Sequence, residues 1–215
     1  MNVLVIDVGG THVKLLATGR RTPRRFDSGL ALTPAVMVRE TLAATSDWRY
    51  AAITIGYPGP VAGGRPLADP HNLGPGWRRF DFRRAFRKPV LIVNDAAMQA
   101  LGSYDGGRML FLGLGTGLGS ATVEDGVVRA LELAHLPYRE GKTFEDYLGT
   151  RGLERLGRHK WEKHVHVVAG MLRAAVVADH VVLGGGNVKK LRRLPPHCRR
   201  GDNRNAFRGG FRAWG

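Results

Sequence analysis

Short apolar runs that end in glycine-rich turns recur in both halves of this chain. Val3–Ile6 leads into Asp7-Val-Gly-Gly-Thr11, and Met109–Leu114 leads into Gly115-Thr-Gly117. A second apolar run follows each turn at once. This pattern predicts a strand, a tight glycine turn and a returning strand. The same unit is therefore expected near residue 7 and again near residue 115.

Other segments predict further strands and helices from the spacing of their apolar positions. The further predicted strands are Ala51–Ile55, Val90–Val93 and Val181–Leu183. The predicted helices are Ala35–Ala44, Phe80–Phe86, Ala96–Gly102, Phe144–Gly157, Trp161–Val177 and Asn203–Trp214. A chain of 215 residues can bury a core either in one domain or in two small lobes that face a cleft.

Composition indicates an ordered protein without a membrane span. Hydrophobic residues make up 43% of the chain and charged residues 24%, which excludes wholesale disorder. The longest uncharged apolar stretches are interrupted by Gly and Pro, so we expect no transmembrane helix. No basic leader precedes the first strand, so we expect no signal peptide and a cytoplasmic protein. The single cysteine, Cys198, excludes an internal disulfide and a zinc site built from cysteines.

Net charge is the unusual property of this sequence. Lys and Arg number 33 against 18 Asp and Glu, which gives +15. The basic residues concentrate in the segments Arg20–Arg25, Arg78–Lys88 and Lys189–Arg212. The positive electrostatic field of such basic segments suits a polyanionic partner: a nucleic acid, a nucleotide or a phosphate polymer. The alternative is an arginine-rich composition that only solvates the surface.

The two glycine turns are candidate phosphate sites. Residues without Cβ let backbone N–H groups approach an anion closely, and a threonine hydroxyl in each turn adds a donor. Either turn alone is more typical of an ordinary hairpin. Two of them, one in each half, favour a phosphate chain gripped between two lobes. Asp7, beside the first turn, is well placed to hold Mg²⁺ through water. Gly184–Gly186 is a third glycine-rich strand end.

Polar residues elsewhere are candidates for the reaction itself. Asp95 follows the Val90–Val93 strand, where a carboxylate can take the proton of a substrate hydroxyl as its oxygen attacks a phosphorus. The alternative role of Asp95 is an N-cap for the next helix. Glu132 and His135 are three residues apart, so both can face one ligand or take part in structural salt links.

The motifs also follow one another in a specific order. They are Asp7-Val-Gly-Gly-Thr11, Gly56-Tyr-Pro-Gly-Pro-Val61, Asn72-Leu-Gly-Pro-Gly-Trp77, Asn94-Asp-Ala96, Leu112-Gly-Leu-Gly-Thr-Gly117, Val182-Leu-Gly-Gly-Gly186 and Asn205-Ala-Phe-Arg-Gly-Gly210. This series resembles the ROK family of bacterial sugar kinases, within the sugar-kinase, actin and chaperone ATPase superfamily. In that family the corresponding motifs are, in order, the first phosphate motif, the sugar-side loop, the "N-L-x-x-W" segment, the catalytic Asn-Asp-Ala, the second phosphate motif, the adenosine motif and the C-terminal helix.

The resemblance implies a fold and a domain organisation. The implied fold is α/β, with two RNase H-like lobes around a central cleft. The implied small N-terminal lobe spans residues 1–93 and is completed by a C-terminal helix at about residues 203–215. The larger lobe spans residues 94–202.

The resemblance also implies roles for individual residues, with Asp95 as the general base on the sugar hydroxyl. The implied sugar-binding residues are Asn72, Asn94, Glu132, His135 and Glu145. The implied nucleotide- or phosphate-binding residues are Asp7, Gly9, Gly10, Thr11, Lys14, Gly115, Thr116, Gly117, Gly184, Gly185 and Gly186. The implied cofactor is Mg²⁺, and the implied phosphoryl donor is ATP or polyphosphate.

The chain departs from the family pattern in three respects. Arg139–Phe144 stands where the family has a zinc-binding cysteine cluster, so we expect no bound zinc. Ala134 stands where the family has glycine, between Glu132 and His135. The chain is also short for the family. Compact family members without zinc include the polyphosphate glucokinases. This chain also resembles them at Lys14.

Together these patterns predict a hexose kinase that acts on glucose, and family analogy implies a homodimer. The alternative is a non-catalytic sugar-binding regulator of the same family. The presence of the candidate residues argues against it, and so does the first strand at residue 2, which leaves no room for a preceding DNA-binding domain. A basic nucleic-acid-binding module is a third hypothesis, and it predicts aromatic residues interleaved with the arginine clusters. The residues that come close are Trp77, Phe80, Phe82 and Phe86.

Overall fold

A computed structural model describes every residue from Met1 to Gly215. In chain order the strands are β1 Val3–Val8, β2 His12–Ala17, β3 Arg24–Asp27, β4 Ala52–Tyr57, β5 Val61–Ala62, β6 Arg65–Pro66, β7 Val90–Asn94, β8 Met109–Leu114, β9 Leu118–Glu124, β10 Val127–Leu131, β11 Pro137–Arg139, β12 Lys142–Thr143, β13 His180–Gly184 and β14 Cys198–Arg200. The helices are α1 Pro34–Ala44, α2 Phe82–Phe86, α3 Asp95–Ser103, α4 Phe144–Leu148, α5 Thr150–Ala175 and α6 Asn205–Arg212.

The chain divides into two units. The first comprises Met1–Met98 with Ala206–Gly215, and the second comprises Gln99–Asn205. The division after Met98 lies inside α3, and the division before Ala206 lies at the start of α6.

The first unit is built on a five-stranded sheet in the order β3-β2-β1-β4-β7. β1 pairs antiparallel with β2 and parallel with β4, and β4 pairs parallel with β7. All six residues of β1 are buried, because apolar groups cover both faces of the sheet. On one face α6 packs so closely that a Cβ on Gly210 would collide with the Val5 side chain. Thr54 fixes α6 there by donating from Oγ1 to the Gly210 carbonyl at 2.7 Å.

The second unit repeats this sheet. Its strand order is β10-β9-β8-β13-β14, with β8 antiparallel to β9 and parallel to β13, and β13 parallel to β14. The core on one face contains Leu110 and Leu112 from β8 and Trp161 and Val165 from α5. The predicted recurrence of a strand, a glycine turn and a returning strand is therefore confirmed in both units.

The predicted strands and most of the predicted helices are confirmed, with three corrections. The helix predicted over Phe144–Gly157 is interrupted at Gly149, because α4 ends at Leu148 and α5 begins at Thr150. Helix α2 begins at Phe82 and not at Phe80, because the Asp81 side chain caps it by accepting from the Arg84 N–H at 2.9 Å. The predicted gap between Gly157 and Trp161 is instead a kink within α5, where Gly157 has a φ of 71°. None of the helices combines the length and the apolar composition needed to cross a membrane.

Candidate functional site

Asp7 is a buried carboxylate at the end of β1. It lies opposite Lys14 on β2, whose Nζ is 3.4 Å from the Asp7 Oδ2. Burial raises the pKa of the Asp7 carboxyl, and the Lys14 ammonium acts in the opposite direction. A further cation beside Asp7 would therefore stabilise the charged carboxylate.

The turn that follows Asp7 is held open toward solvent. The Gly9 N–H donates to the His12 carbonyl at 3.1 Å, and the Ser28 hydroxyl donates to the Gly9 carbonyl at 2.7 Å. The N–H groups of Gly10 and Thr11 donate no hydrogen bond within the chain. These two donors are thus available to an anion, as expected of a backbone phosphate site.

Asn72 lies next to the same turn. A Cβ on Gly10 would stand 3.8 Å from the Asn72 Cβ and Nδ2. Asp69 organises the segment that carries Asn72, because its carboxylate accepts from the N–H groups of Gly76, Trp77 and Arg78. These hydrogen bonds keep the pKa of Asp69 below its ordinary value. Asp69 is not among the residues predicted from the sequence, although it stands only three positions before Asn72.

Asn94 and Asp95 lie at the same edge of the first sheet as Asp7. Asp7 is in register with Gly56 on β4, and Gly56 is in register with Val93 on β7. Two strand spacings, about 10 Å, therefore separate Asp7 from the end of β7.

The helix cap at this edge is made by Asn94. Its Oδ1 accepts from the Ala97 N–H at 3.0 Å, and its Nδ2 donates to the Gly59 carbonyl at 3.0 Å. The Asp95 Oδ1 accepts from the adjacent Ala96 N–H at 2.7 Å. The three-residue spacing between Asn94 and Ala97 is that of an N-cap. The capping function that was an alternative for Asp95 thus belongs to its neighbour.

Asp7 also fits the donor set that Mg²⁺ uses at phosphate sites. Mg²⁺ is commonly held by one or two carboxylates and takes its other ligands from water and substrate phosphates. No group of three or more His, Cys, Asp or Glu side chains in this chain could hold a metal ion. A metal ion at Asp7 would therefore depend on ligands from outside the protein.

The second glycine turn, between β8 and β9, resembles the first. The Gly115 N–H donates to the Gly117 carbonyl at 3.1 Å, which closes the turn. The N–H groups of Thr116 and Gly117 donate no hydrogen bond within the chain. Each unit therefore presents two unpaired backbone donors immediately after its first strand.

Residues from two other elements hold this turn in place. The Gly115 carbonyl accepts from the Thr150 hydroxyl at 3.0 Å and from the Asn187 Nδ2 at 3.1 Å. Asn187 Nδ2 also lies 3.0 Å from the Thr150 Oγ1. Neither residue is among those predicted from the sequence, although Asn187 directly follows the Gly184–Gly186 motif. The structure brings that motif and the second turn together.

Gly185 permits the Gly184–Gly186 motif to lie close to the second glycine turn. It has a φ of 84° and a ψ of 166°, a backbone conformation that favours glycine. A Cβ on Gly185 would collide with the carbonyl of Leu114, the last residue of β8. The glycine at position 185 is therefore required by the packing of the β13 end against the second turn.

Glu145 on α4 directs its carboxylate at the second turn as well. Its Oε2 accepts from the Leu118 N–H at 3.3 Å, and a Cβ on Gly117 would collide with the same oxygen. Arg151 Nη2 lies 3.4 Å from the Glu145 Oε1. The residue that the resemblance assigns to the sugar thus contacts residues of the second phosphate motif.

Glu132 and His135 lie at the two ends of a single 3₁₀ turn after β10. Both side chains are exposed, and neither makes a hydrogen bond or an ion pair within the chain. Ala134 between them is buried in the core of the second unit, and its φ is not positive. The turn therefore does not need a glycine at position 134. Ser120 supports the turn by accepting from the Leu133 N–H at 3.3 Å.

Aromatic side chains and a histidine pack around the segment that replaces the cysteine cluster. The Tyr138 ring lies 5.2 Å from Phe144 and 5.0 Å from Tyr147, measured between centroids. The Tyr138 hydroxyl is 3.1 Å from the Nδ1 of His164. This packing anchors the helix that carries Glu145. The absence of zinc stays a prediction.

Several solved structures that share this fold are named as sugar kinases. An inorganic polyphosphate/ATP-glucomannokinase from Arthrobacter sp. strain KM is 21% identical, with a TM-score of 0.83 over 99% of this chain and 98% of that one. A ROK hexokinase from Thermus thermophilus is 22% identical, with a TM-score of 0.73 over 100% and 98% of the two chains. A ROK family glucokinase from Streptomyces griseus, solved with glucose and AMPPNP, is 16% identical, with a TM-score of 0.75 over 98% of each chain.

These likenesses show that the chain shares the fold of these sugar kinases, with a five-stranded sheet in each unit, which confirms the predicted fold class. The structural neighbours include ROK-family sugar kinases, so the resemblance stated from the sequence is confirmed for the fold. No protein-family model matches the chain. No match was found among curated proteins either.

Proposed function

We propose that this protein is a ROK-type sugar kinase that transfers a terminal phosphoryl group to a hexose, with glucose as the expected sugar. The observation that carries the proposal is the duplicated turn. Each unit ends its first strand in a glycine turn with two unpaired N–H donors, and the first unit adds a buried carboxylate, Asp7. The shared fold of known sugar kinases supports the same function.

The donor side of the reaction uses both glycine turns. Backbone donors at Gly10 and Thr11, and at Thr116 and Gly117, would hold phosphate oxygens. Lys14 would share its ammonium between Asp7 and a phosphate. Bound Mg²⁺, held by Asp7 through water, would neutralise charge on the phosphates. The proposed donor is ATP, polyphosphate or both.

On the acceptor side, Asp95 takes the proton of the sugar hydroxyl. The hydroxyl oxygen forms a bond to the terminal phosphorus, and the bond from that phosphorus to the bridging oxygen breaks. The leaving group is ADP or a polyphosphate shortened by one unit. The other sugar hydroxyls would be held by the residues that the resemblance assigns to them: Asn72, Asn94, Glu132, His135 and Glu145. Positioning and charge stabilisation supply most of the rate in such a reaction.

The proposal is tested by a coupled assay on a panel of hexoses, with ATP and polyphosphate as separate donors and with and without Mg²⁺. We expect Mg²⁺-dependent phosphorylation of glucose with at least one donor. Sugar binding without turnover under all of these conditions would contradict the proposal and favour the non-catalytic regulator.

Glu132→Gln and His135→Ala are expected to raise the sugar KM while the donor KM stays nearly constant. Losing a hydrogen bond to a charged group costs about 1.5–3 kcal/mol of binding free energy. This cost corresponds to about a tenfold to a hundredfold increase in the sugar KM. Initial rates at varied sugar and varied donor concentration measure both constants.

Glu124→Gln and His159→Ala are matched controls, because both residues are exposed and lie outside the candidate site. They should leave both KM values unchanged. If Glu132→Gln and His135→Ala raise only the donor KM, these two residues bind the phosphoryl donor and not the sugar.

A further inference from the structure

Basic residues line two depressions beside β7 at the edge of the first sheet. The first is a cavity of about 600 Å³ whose lining includes Val90 and Ile92 of β7. The arginines that line it are Arg65, Arg78, Arg79 and Arg83. A second depression shares Val90 and Arg83 with the first and adds Arg87 and Lys88. We call the two depressions together the arginine groove.

The positive charge of the arginine groove is largely uncompensated. Arg65, Arg78 and Arg79 are exposed, and their guanidinium groups make no hydrogen bond or ion pair within the chain. Asp81 is the acidic residue that lines the groove, and its Oδ1 already accepts from the Arg84 N–H. Two of the arginines also have internal partners, because the Arg83 Nε donates to the Val90 carbonyl at 3.4 Å and the charge of Arg78 helps to lower the pKa of Asp69. Guanidinium groups that line one cavity and outnumber its carboxylates indicate an anionic ligand.

The aromatic residues interleaved with these arginines are mostly covered by other side chains, although Phe80 and Phe82 form part of the lining of the first depression. Trp77, Phe82 and Phe86 are buried in the core of the first unit. Phe80 is half-buried and packs edge-to-face on Phe82, with 4.8 Å between the ring centroids. Proteins that bind single-stranded nucleic acids present aromatic faces on which the bases stack. Trp214 lines the second depression, but it is half-buried, and its Nε1 donates to the Thr54 Oγ1 at 2.8 Å. Cationic groups thus outnumber the partly covered aromatic rings in the groove, which favours a ligand made of phosphates.

We propose that the arginine groove binds inorganic polyphosphate. The choice of this polymer rests on the proposed function, in which polyphosphate is a phosphoryl donor. A linear phosphate chain carries charge along its whole length, and six cationic side chains line the two depressions. The groove thus supplies contacts for phosphates beyond those that the glycine turns hold.

The test compares two triple variants with equal loss of charge. The groove variant carries Arg65→Gln, Arg78→Gln and Arg79→Gln. The control carries Arg21→Gln, Arg49→Gln and Arg129→Gln, three exposed arginines that lie outside the groove and make no internal hydrogen bond. Binding of long-chain polyphosphate is measured without sugar, by titration at several salt concentrations. Single-stranded DNA of similar total charge is titrated in parallel.

The groove variant is expected to bind polyphosphate about tenfold to a hundredfold more weakly than the wild type at low salt. The slope of log Kd against log salt should fall by about two to three, roughly one for each cation removed from a phosphate contact. The control should keep the wild-type slope. The single substitutions Arg65→Gln and Arg79→Gln should each shift the slope in the same direction, which provides a test if the triple variant folds poorly.

Equal losses in the groove variant and the control would overturn the proposal, because general charge alone would then explain binding. Single-stranded DNA that binds as tightly as polyphosphate, and is weakened equally in the groove variant, would also overturn it in favour of a nucleic-acid site. A wild-type protein that phosphorylates sugar with ATP but does not bind polyphosphate refutes the groove and leaves the kinase function standing. Groove-dependent polyphosphate binding without any kinase activity supports the groove and refutes the proposed function.

Discussion

Replacing Asp95 by asparagine is expected to lower turnover by about 10²–10⁴-fold while sugar binding is largely retained. The substitution keeps the shape of the side chain and removes its capacity to accept a proton. The substitution should not disturb the cap of α3, because the N-cap hydrogen bond to the Ala97 N–H comes from Asn94 and not from Asp95. The helix should therefore keep its cap in the variant. The measurements are kcat, the sugar KM and the sugar Kd.

Asp202→Asn is the matched control. The Asp202 carboxylate also accepts a nearby backbone N–H, from Arg204 at 2.8 Å, and it lies outside the candidate site. Its variant should turn over at the wild-type rate. If Asp95→Asn keeps more than about a tenth of the wild-type turnover, Asp95 is a binding or structural residue and the proposed mechanism fails.

Each unit is built on its own five-stranded sheet of similar topology, but the two units supply carboxylates to their glycine turns in different ways. In the first unit the carboxylate is Asp7, on the strand itself. In β8 the corresponding next-to-last position is Gly113, so the strand of the second unit offers none. There Glu145 reaches the turn from α4 instead. The duplicated sheet therefore presents similar backbone donors with different side-chain chemistry, which suits distinct roles for the two turns.

The sequence predicted the parts of the fold that local patterns encode. The glycine turns and the strands on either side of them were predicted because apolar runs and glycines alternate sharply there. Strands β3, β10 and β14 were not predicted, since each is short and rich in polar or exposed residues. Their pairing is decided by contact with a neighbouring strand, which leaves little local signal.

Some site residues could likewise be predicted from local sequence, whereas others are placed by contacts between distant parts of the chain. Asp7, Asn94 and Asp95 stand next to strand ends, so sequence position alone indicates that they share a sheet edge. Thr150 and Asn187 meet at the Gly115 carbonyl although they are far apart in the chain, and no periodicity indicates that contact. The carboxylate of Glu145 is likewise placed by the packing of a helix and not by local sequence.

Gly185→Ala is expected to destabilise the second unit by about 2–6 kcal/mol. About 1–3 kcal/mol comes from forcing alanine into a backbone region that favours glycine, and about 1–3 kcal/mol from the collision of the new Cβ with the Leu114 backbone. Backbone atoms cannot move aside as a flexible side chain can, so the end of β13 must separate from the second turn. The hydrogen bond from Asn187 to the Gly115 carbonyl would then be lost, and the donor KM should rise.

Urea denaturation of the full chain measures this loss, and hydrogen exchange locates it at β8 and β13. Gly186→Ala is the control for stability, because a Cβ at Gly186 would meet no atom within 4 Å and its φ lies outside the region that favours glycine. That variant should unfold within about 0.5 kcal/mol of the wild type, as most surface substitutions do. Equal unfolding midpoints for the two alanine variants would mean that position 185 tolerates a side chain. The close approach of the Gly184–Gly186 motif to the second turn would then not depend on its glycine.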